Sequence, residues 1–269
     1  RAEWAEFLKN MHPPAEVVVS TLPMSSVMIR EISVEFENEK KLGRIIRYQM
    51  EPHIPVPVED VIVDFLPAEK DTPVLTFGVE KEVLSLHLQD LSGAGMEPDV
   101  VSLEAVALLH LFNYDYSGDP GEPVILLHMD EEKTLLLLVR RSRIDFIRVL
   151  PGAPPDPGRI LESLNLYRLK NPDSVAGKIF LTGPVSSAEI NDRLQELLKM
   201  ETMLWRPFAG MKTQAGEIGP GMQDRLAIPL GLAVGALRES AKPFNLRREE
   251  FAPGKSSNLK KLTVFMLCC

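Results

Sequence analysis

Apolar and polar positions fall into blocks along the chain, each with the period of one structural element. Residues 1–11, RAEWAEFLKNM, place Trp4, Phe7, Leu8 and Met11 at the spacing of one helix face. EVVVSTLP predicts a strand that stops at Pro23, residues 27–36 a half-buried strand with its turn, and residues 39–50 a helix. Pro52, Pro55 and Pro57 disfavour helix in the following stretch and lead into another strand. From residue 72 the pattern sharpens. TPVLTFGVE reads as a strand, EKEVLSLHLQDLSGAG as a helix ended by glycine, and PDVVSLEAVALLHLF as a short strand and an apolar helix. After the loop YSGDPGEP, the stretch VILLHMDEEKTLLLLV (124–139) sets an acidic tip between two continuously apolar arms, the pattern of a buried hairpin. A strand RIDFIRVLPG, a helix RILESLNLYRLK, a strand KIFLTGP, a helix over 187–200 and a closing helix AIPLGLAVGALRES follow.

Strands alternating with helices on both sides of the 117–123 loop predict an α/β architecture of two related halves. The expected divisions are 1–120, 121–240 and a tail from 241 to 269. A chain of 269 residues, 45% hydrophobic and 25% charged, supports real cores and is not a disordered one. Its net charge of −8 argues against non-specific nucleic-acid binding, which needs surplus Lys and Arg to release counterions from phosphates. The two cysteines, Cys268 and Cys269, make neither a disulfide scaffold nor a zinc module. They end an apolar run, LTVFMLCC, shorter than the roughly 20 residues that cross a bilayer. Two readings stay open for that run. It is the opening of a membrane-spanning helix, with Arg247, Arg248, Lys255, Lys260 and Lys261 holding the preceding chain in the cytoplasm, or a last buried strand. A terminal Cys-Cys also suggests lipid attachment, but no phosphate-loop motif accompanies it.

Other chemical candidates have simpler explanations. His12, His53, His87, His110 and His128 are scattered, with no pair at the i, i+4 spacing of a metal-binding helix. Ser25-Ser26, Ser186-Ser187 and Ser256-Ser257 lack the setting of a nucleophile elbow and suit turns or helix caps. Gly93 and Gly95 follow a helix instead of opening one, which makes them a C-cap and not a dinucleotide fingerprint. Arg140, Arg141, Arg143 and Arg148, read as one strand, place Arg141 and Arg143 on a shared face, either solvated or open to an acidic partner.

Several stretches together resemble the actin-like ATPase superfamily, in the branch that holds the type II secretion system protein L and type IV pilus PilM families. IPVPVEDVIVDF with VLTFGVEKEVLSLHLQDLSGAGMEPDVVSLEAVAL resembles their inserted subdomain in the first half. VILLHMDEEKTLLLLVRRSRIDFIRVLPG resembles the hairpin that opens their second half. KIFLTGPVSSAEINDRLQELL resembles their later glycine-containing strand and helix, and AIPLGLAVGALRESAKPFNLRREEFA their closing helix and exit. The implied fold is α/β, actin-like (ribonuclease H-like), in two related halves with an α/β insertion in the first. The first-half strands that would carry a first phosphate hairpin are missing from this sequence.

In active members the second hairpin tip carries Asp-x-Gly and small hydroxyl residues, whose backbone N–H groups wrap a phosphate. Aligned on its arms, this chain has His128 where the aspartate is expected and Asp130 where the glycine is expected. Glu131 and Glu132 add like charge, and Thr134 alone keeps the hydroxyl. Two unit charges about 4 Å apart interact by roughly 4 kcal/mol at an effective dielectric near 20, so the tip repels polyphosphate. Gly183 survives in LTGP, but Pro184 replaces a second small residue. The resemblance therefore implies a retained fold with a decayed nucleotide site: no catalytic residues, no cofactor and no metal. It further implies an inner-membrane platform component, cytoplasmic in this region and tethered by a helix from near Leu262, that recruits the secretion ATPase and couples it to other platform proteins, as a homodimer. Phe244, Asn245, Leu246 and Arg247 match an Asn-Leu segment that docks on the actin-like body in cis or comes from a membrane partner. The alternative is a PilM-like pilus assembly protein that binds nucleotide.

Overall fold

A computed structural model describes residues 17–34, 39–67, 72–119, 121–172, 176–207, 212–213, 216–217, 220–237, 244–253 and 264–267. The helix expected over residues 1–11 lies outside them. The chain forms two compact units, one from residues 1–106 with 232–269, the other from 107–231.

The first unit contains β1 (Val17–Leu22), β2 (Met28–Ile32), α1 (Glu39–Met50), β3 (Val61–Phe65), β4 (Val74–Glu80), α2 (Lys81–Gly93) and β5 (Val100–Leu103). α3 (Glu104–Asp115) begins in it and continues into the second unit. β2, β4 and β3 make an antiparallel sheet. Leu42, Ile46 and Met50, one α1 face at i, i+4, i+8, pack with Val61, Val63 and Phe65, the alternate positions of β3. α2 ends in a Schellman motif. Gly95, at φ 80°, lets its N–H reach Ser92 O while the Met96 N–H reaches Leu91 O, both at 2.9 Å. Glycine thus ends this helix as its sequence predicts.

β1 pairs in parallel with β5 on one side and with β13 (Val264–Leu267) on the other. Of the two readings left open for the run that ends the sequence, Val264–Leu267 form a strand. Val264 and Phe265 favour extended backbone, and pairing with β1 satisfies backbone groups that an isolated helical turn leaves open. Among the described residues no helix is long and apolar enough to cross a membrane.

The second unit is built on a five-stranded sheet of order β10-β9-β6-β7-β8. Its strands are β6 (Val124–Met129), β7 (Lys133–Arg140), β8 (Arg143–Pro151), β9 (Lys178–Thr182) and β10 (Glu201–Leu204). Helices α4 (Pro157–Lys170) and α5 (Ala188–Leu198) cover one face. Ile125, Leu127 and Met129 point there and pack with Ile160, Leu164, Tyr167 and Leu194. The other face is covered as well. Phe180 meets Phe112 and Tyr116 edge-on, and Trp205 meets Phe112. Two covered faces explain why the hairpin arms are continuously apolar where a half-buried strand alternates. A small hairpin, β11 (Lys212–Thr213) with β12 (Gly216–Glu217), and helix α6 (Pro220–Arg225) belong to the same unit, and α7 (Ala227–Leu237) begins in it and continues into the first.

The arginine cluster is not one strand. β7 ends at Arg140, Arg141 and Ser142 form a two-residue turn with φ 50° and 62°, and β8 starts at Arg143. Arg141 and Arg143 therefore do not share a strand face.

Candidate functional site

The β6–β7 hairpin carries the residues read as a former phosphate loop. Met129 pairs with Thr134 and His128 with Leu135, leaving Asp130, Glu131 and Glu132 as the tip. Two of its amide donors are already bonded within the loop. The Asp130 N–H donates to Lys133 O at 3.0 Å, and the Glu131 N–H to Asp130 Oδ1 at 2.8 Å. Thr134, the one tip residue that keeps the expected hydroxyl, is fully buried and donates to Gly152 O at 2.9 Å. The Gly152 N–H in turn reaches Glu132 O at 2.8 Å, tying the tip to the end of β8.

Gly183 closes the same end of the sheet from the other side. It has φ 104°, and a Cβ added there would lie 2.4 Å from Met129 O and 2.8 Å from Met129 N. The Val185 N–H donates to Met129 O at 3.3 Å, and Ser186 Oγ to Gly183 O at 2.7 Å. The close packing of this turn on the Met129 backbone therefore itself requires glycine here.

His128 sits in the core, 7% exposed, between Leu135 and Thr182 in the sheet register. Its Nδ1 has no hydrogen-bond partner. Burial pushes its pKa from the ordinary 6.5 down to about 4; Asp130 opposes this and Lys133 adds to it. The imidazole is neutral at physiological pH and offers no charge to an anion. Glu131 and Glu132 are exposed, and Arg225 lies 3.5 Å from Glu131 in a pair open to water on both sides. Such a pair is worth little. Among the described residues no group of three or more His, Cys, Asp or Glu is placed to hold a metal ion. The arrangement thus presents negative charge on a tip whose Asp130 and Glu131 amides bond to their own loop.

The second constellation is the 244–251 segment, and it lies against its own chain. Phe244 packs edge-on against Phe77 of β4, 5.4 Å between ring centroids. The Asn245 N–H donates to Asp64 Oδ2 (2.9 Å), its Oδ1 accepts from the Val101 N–H (3.0 Å) and the Arg247 N–H (2.8 Å), and its Nδ2 donates to Asp99 O (3.3 Å). The Leu246 N–H adds a bond to Val101 O (2.8 Å), and Leu246 is fully buried. Arg247 reaches Pro98 O and Glu97, and Arg248 meets Asp64 Oδ2 at 2.8 Å. Glu249, in a left-handed backbone at φ 53°, accepts from Arg47, whose remaining N–H groups donate to Val58 O. The segment clips β5 to the β2-β4-β3 sheet within the first unit.

Sequence reasoning singled out Phe244, Asn245, Leu246 and Arg247 but missed Asp64, the residue that receives them. The signal was present. Asp64 interrupts the apolar strand VIVDF and is 1% exposed, and a carboxylate buried that deeply requires a fixed donor. Replacing Asn245 by alanine strands the Val101 and Arg247 amides. We expect a loss of about 2 kcal/mol, with faster hydrogen exchange at Val101 and Leu246 and no change at the β6–β7 ladder. Unchanged exchange at Val101 would refute the clip.

Residues 1–111 match the family "Type II secretion system (T2SS), protein L". No curated protein matches the chain. Of solved structures, the PilM–PilN type IV pilus biogenesis complex is similar at 20% identity, covering 87% of this chain and 84% of that chain, with a TM-score of 0.69. The cytoplasmic domain of EpsL, an inner membrane component of the type II secretion system of Vibrio cholerae, is similar at 16% identity, covering 93% and 84%, with a TM-score of 0.55. The chain has the actin-like fold of these structures, and its first 111 residues match the type II secretion system protein L family.

Proposed function

We propose that the chain is a platform component of a bacterial type II secretion machine. It stands on the cytoplasmic side of the inner membrane, where its actin-like body recruits the secretion ATPase and couples it to other platform proteins. It works through binding surfaces and does not turn over nucleotide. The family match over residues 1–111 supports the system. One observation carries the silent site: a tip of three acidic residues whose Asp130 and Glu131 amides and Thr134 hydroxyl bond within the loop and to Gly152. A phosphate would have to break those bonds and overcome the charge.

The alternative, a nucleotide-binding pilus assembly protein, is favoured by the higher TM-score of the PilM–PilN structure. One experiment separates them. Purified protein with magnesium and millimolar ATP is expected to show no turnover and no rise in melting temperature, and to retain the cognate secretion ATPase in a pull-down at moderate salt. A clear ATP-dependent rise moves the assignment to the pilus reading; no complex at any salt removes the recruiting role.

A further inference from the structure

The 244–251 clip is not held uniformly along its length. Its inner residues are fixed by groups taken out of water. Phe244 and Leu246 are buried, and the N–H groups of Asn245, Leu246 and Arg247 donate to Asp64 Oδ2, Val101 O and Asn245 Oδ1. Arg248 belongs with them, because its partner Asp64 is 1% exposed. Bonds to buried groups are costly to break, since the partner left behind finds no water to replace them.

Beyond Arg248 the character changes. The Phe251 N–H donates to Arg248 O at 3.0 Å and the Ala252 N–H to Glu249 O at 3.2 Å, so these bonds close on the segment itself. Phe251 is half-buried, and its carbonyl accepts from Arg247 Nε at 2.9 Å. Two carboxylates reach the body. Glu249 meets Arg47 of α1 at 3.1 Å and Glu250 meets Lys81 of α2 at 2.7 Å, with the glutamate side chains 37% and 50% exposed. Pairs this open contribute little each and are screened by salt. Glu249 also carries the left-handed backbone, φ 53°, that a non-glycine residue disfavours. Its pair with Arg47 therefore holds a strained residue where a tight half of the clip meets a loose one.

We propose that the clip opens in two stages: residues 249–251 lift first, when the Arg47 and Lys81 pairs weaken and Glu249 relaxes from its left-handed conformation, while 244–248 stay docked. The first stage adds three residues to the connection that leads to β13, about 10 Å of extended chain, and leaves the β5 contact closed. A clip fastened by its buried residues alone would open as a single unit. The inference goes beyond the recruiting role and does not depend on it.

Hydrogen exchange on the full chain tests this at roughly 0.05 M and roughly 1 M sodium chloride, the second with a Debye length near ~3 Å. High salt is expected to speed exchange at the Phe251 and Ala252 amides about threefold or more, as loss of two exposed ion pairs implies. Leu246, Val101 and the β6–β7 ladder should not change. At low salt Lys81→Glu and Glu250→Lys should each speed the same two amides, and the two changes together should restore the wild-type rate. A purely steric role for either side chain does not produce that rescue. The proposal is overturned if salt leaves Phe251 and Ala252 as they were, if Leu246 and Val101 open along with them, or if the combined variant exchanges as fast as either single one.

Discussion

Replacing Gly183 by alanine is expected to destabilise the protein by about 3 kcal/mol or more. Two separate penalties add. A non-glycine residue at φ 104° is strained, which costs on the order of 1–3 kcal/mol. The new methyl would also lie 2.4 Å from Met129 O and 2.8 Å from Met129 N. These are backbone atoms of β6 in the middle of the sheet, and they cannot move aside as a side-chain end can; forced overpacking of this kind costs typically 1–3 kcal/mol. In a domain of this size the sum lowers the melting temperature by roughly 10 °C. A denaturant melt with unchanged m-value checks it, and a shift below ~1 kcal/mol would mean that the turn has another conformation. The prediction also bears on function. A glycine at this turn invites the reading that a nucleotide once needed the room, yet the room is taken by Met129. Gly183→Ala should therefore cost the same with or without ATP present.

The contrast between what the sequence revealed and what it hid follows from the range of the contacts. α1 at Glu39–Met50 and the hairpin arms β6 and β7 were legible because periodicity is local: one apolar face every 3.6 residues, or an unbroken apolar run between turn signals. β10 was missed within the helix-and-loop region after residue 187. Glu201–Leu204 has no alternating pattern and becomes a strand only by pairing in parallel with β9. The two-residue turn at Arg141 and Ser142 was hidden for the opposite reason: the local signal was misleading, since neither residue is the glycine or asparagine that marks such turns. At the candidate site, the acidity of Asp130, Glu131 and Glu132 was plain from composition. The fate of their amides was not, because it depends on Lys133, Gly152 and the geometry of the loop. The clip was half legible. Asn245 could be named from its motif, but its bonds to Val101 and Asp64 span 144 and 181 residues, beyond any local pattern.

Stability is expected to fall by roughly 3 kcal/mol as the pH drops from 6.5 to 4, through His128 alone. The sign follows from where the proton is taken up. The unfolded chain binds a proton at His128 below the ordinary value of 6.5, whereas in the folded state burial holds the pKa at about 4. Between those limits the unfolded state carries the extra proton, so acid favours unfolding. Above 6.5 both states are neutral and the contribution is complete; below about 4 both are charged and it has gone. At 1.36 kcal/mol per pH unit across that window, the loss comes to ~3 kcal/mol. His87, whose pKa burial also lowers, acts in the same direction, and carboxylates titrate nearby, so the decisive measurement is a difference. His128→Leu removes the titration and also the buried Nδ1 that lacks a partner, which by itself should stabilise the fold at neutral pH by about 1 kcal/mol or more. Urea melts of both proteins from pH 7 to pH 4 should therefore diverge, with the leucine variant ahead at the start and further ahead by ~3 kcal/mol at the end. A gap that stays constant with pH would show that the imidazole reaches solvent. The hairpin base would then be open, and the case for a closed, ligand-free phosphate loop would fail with it.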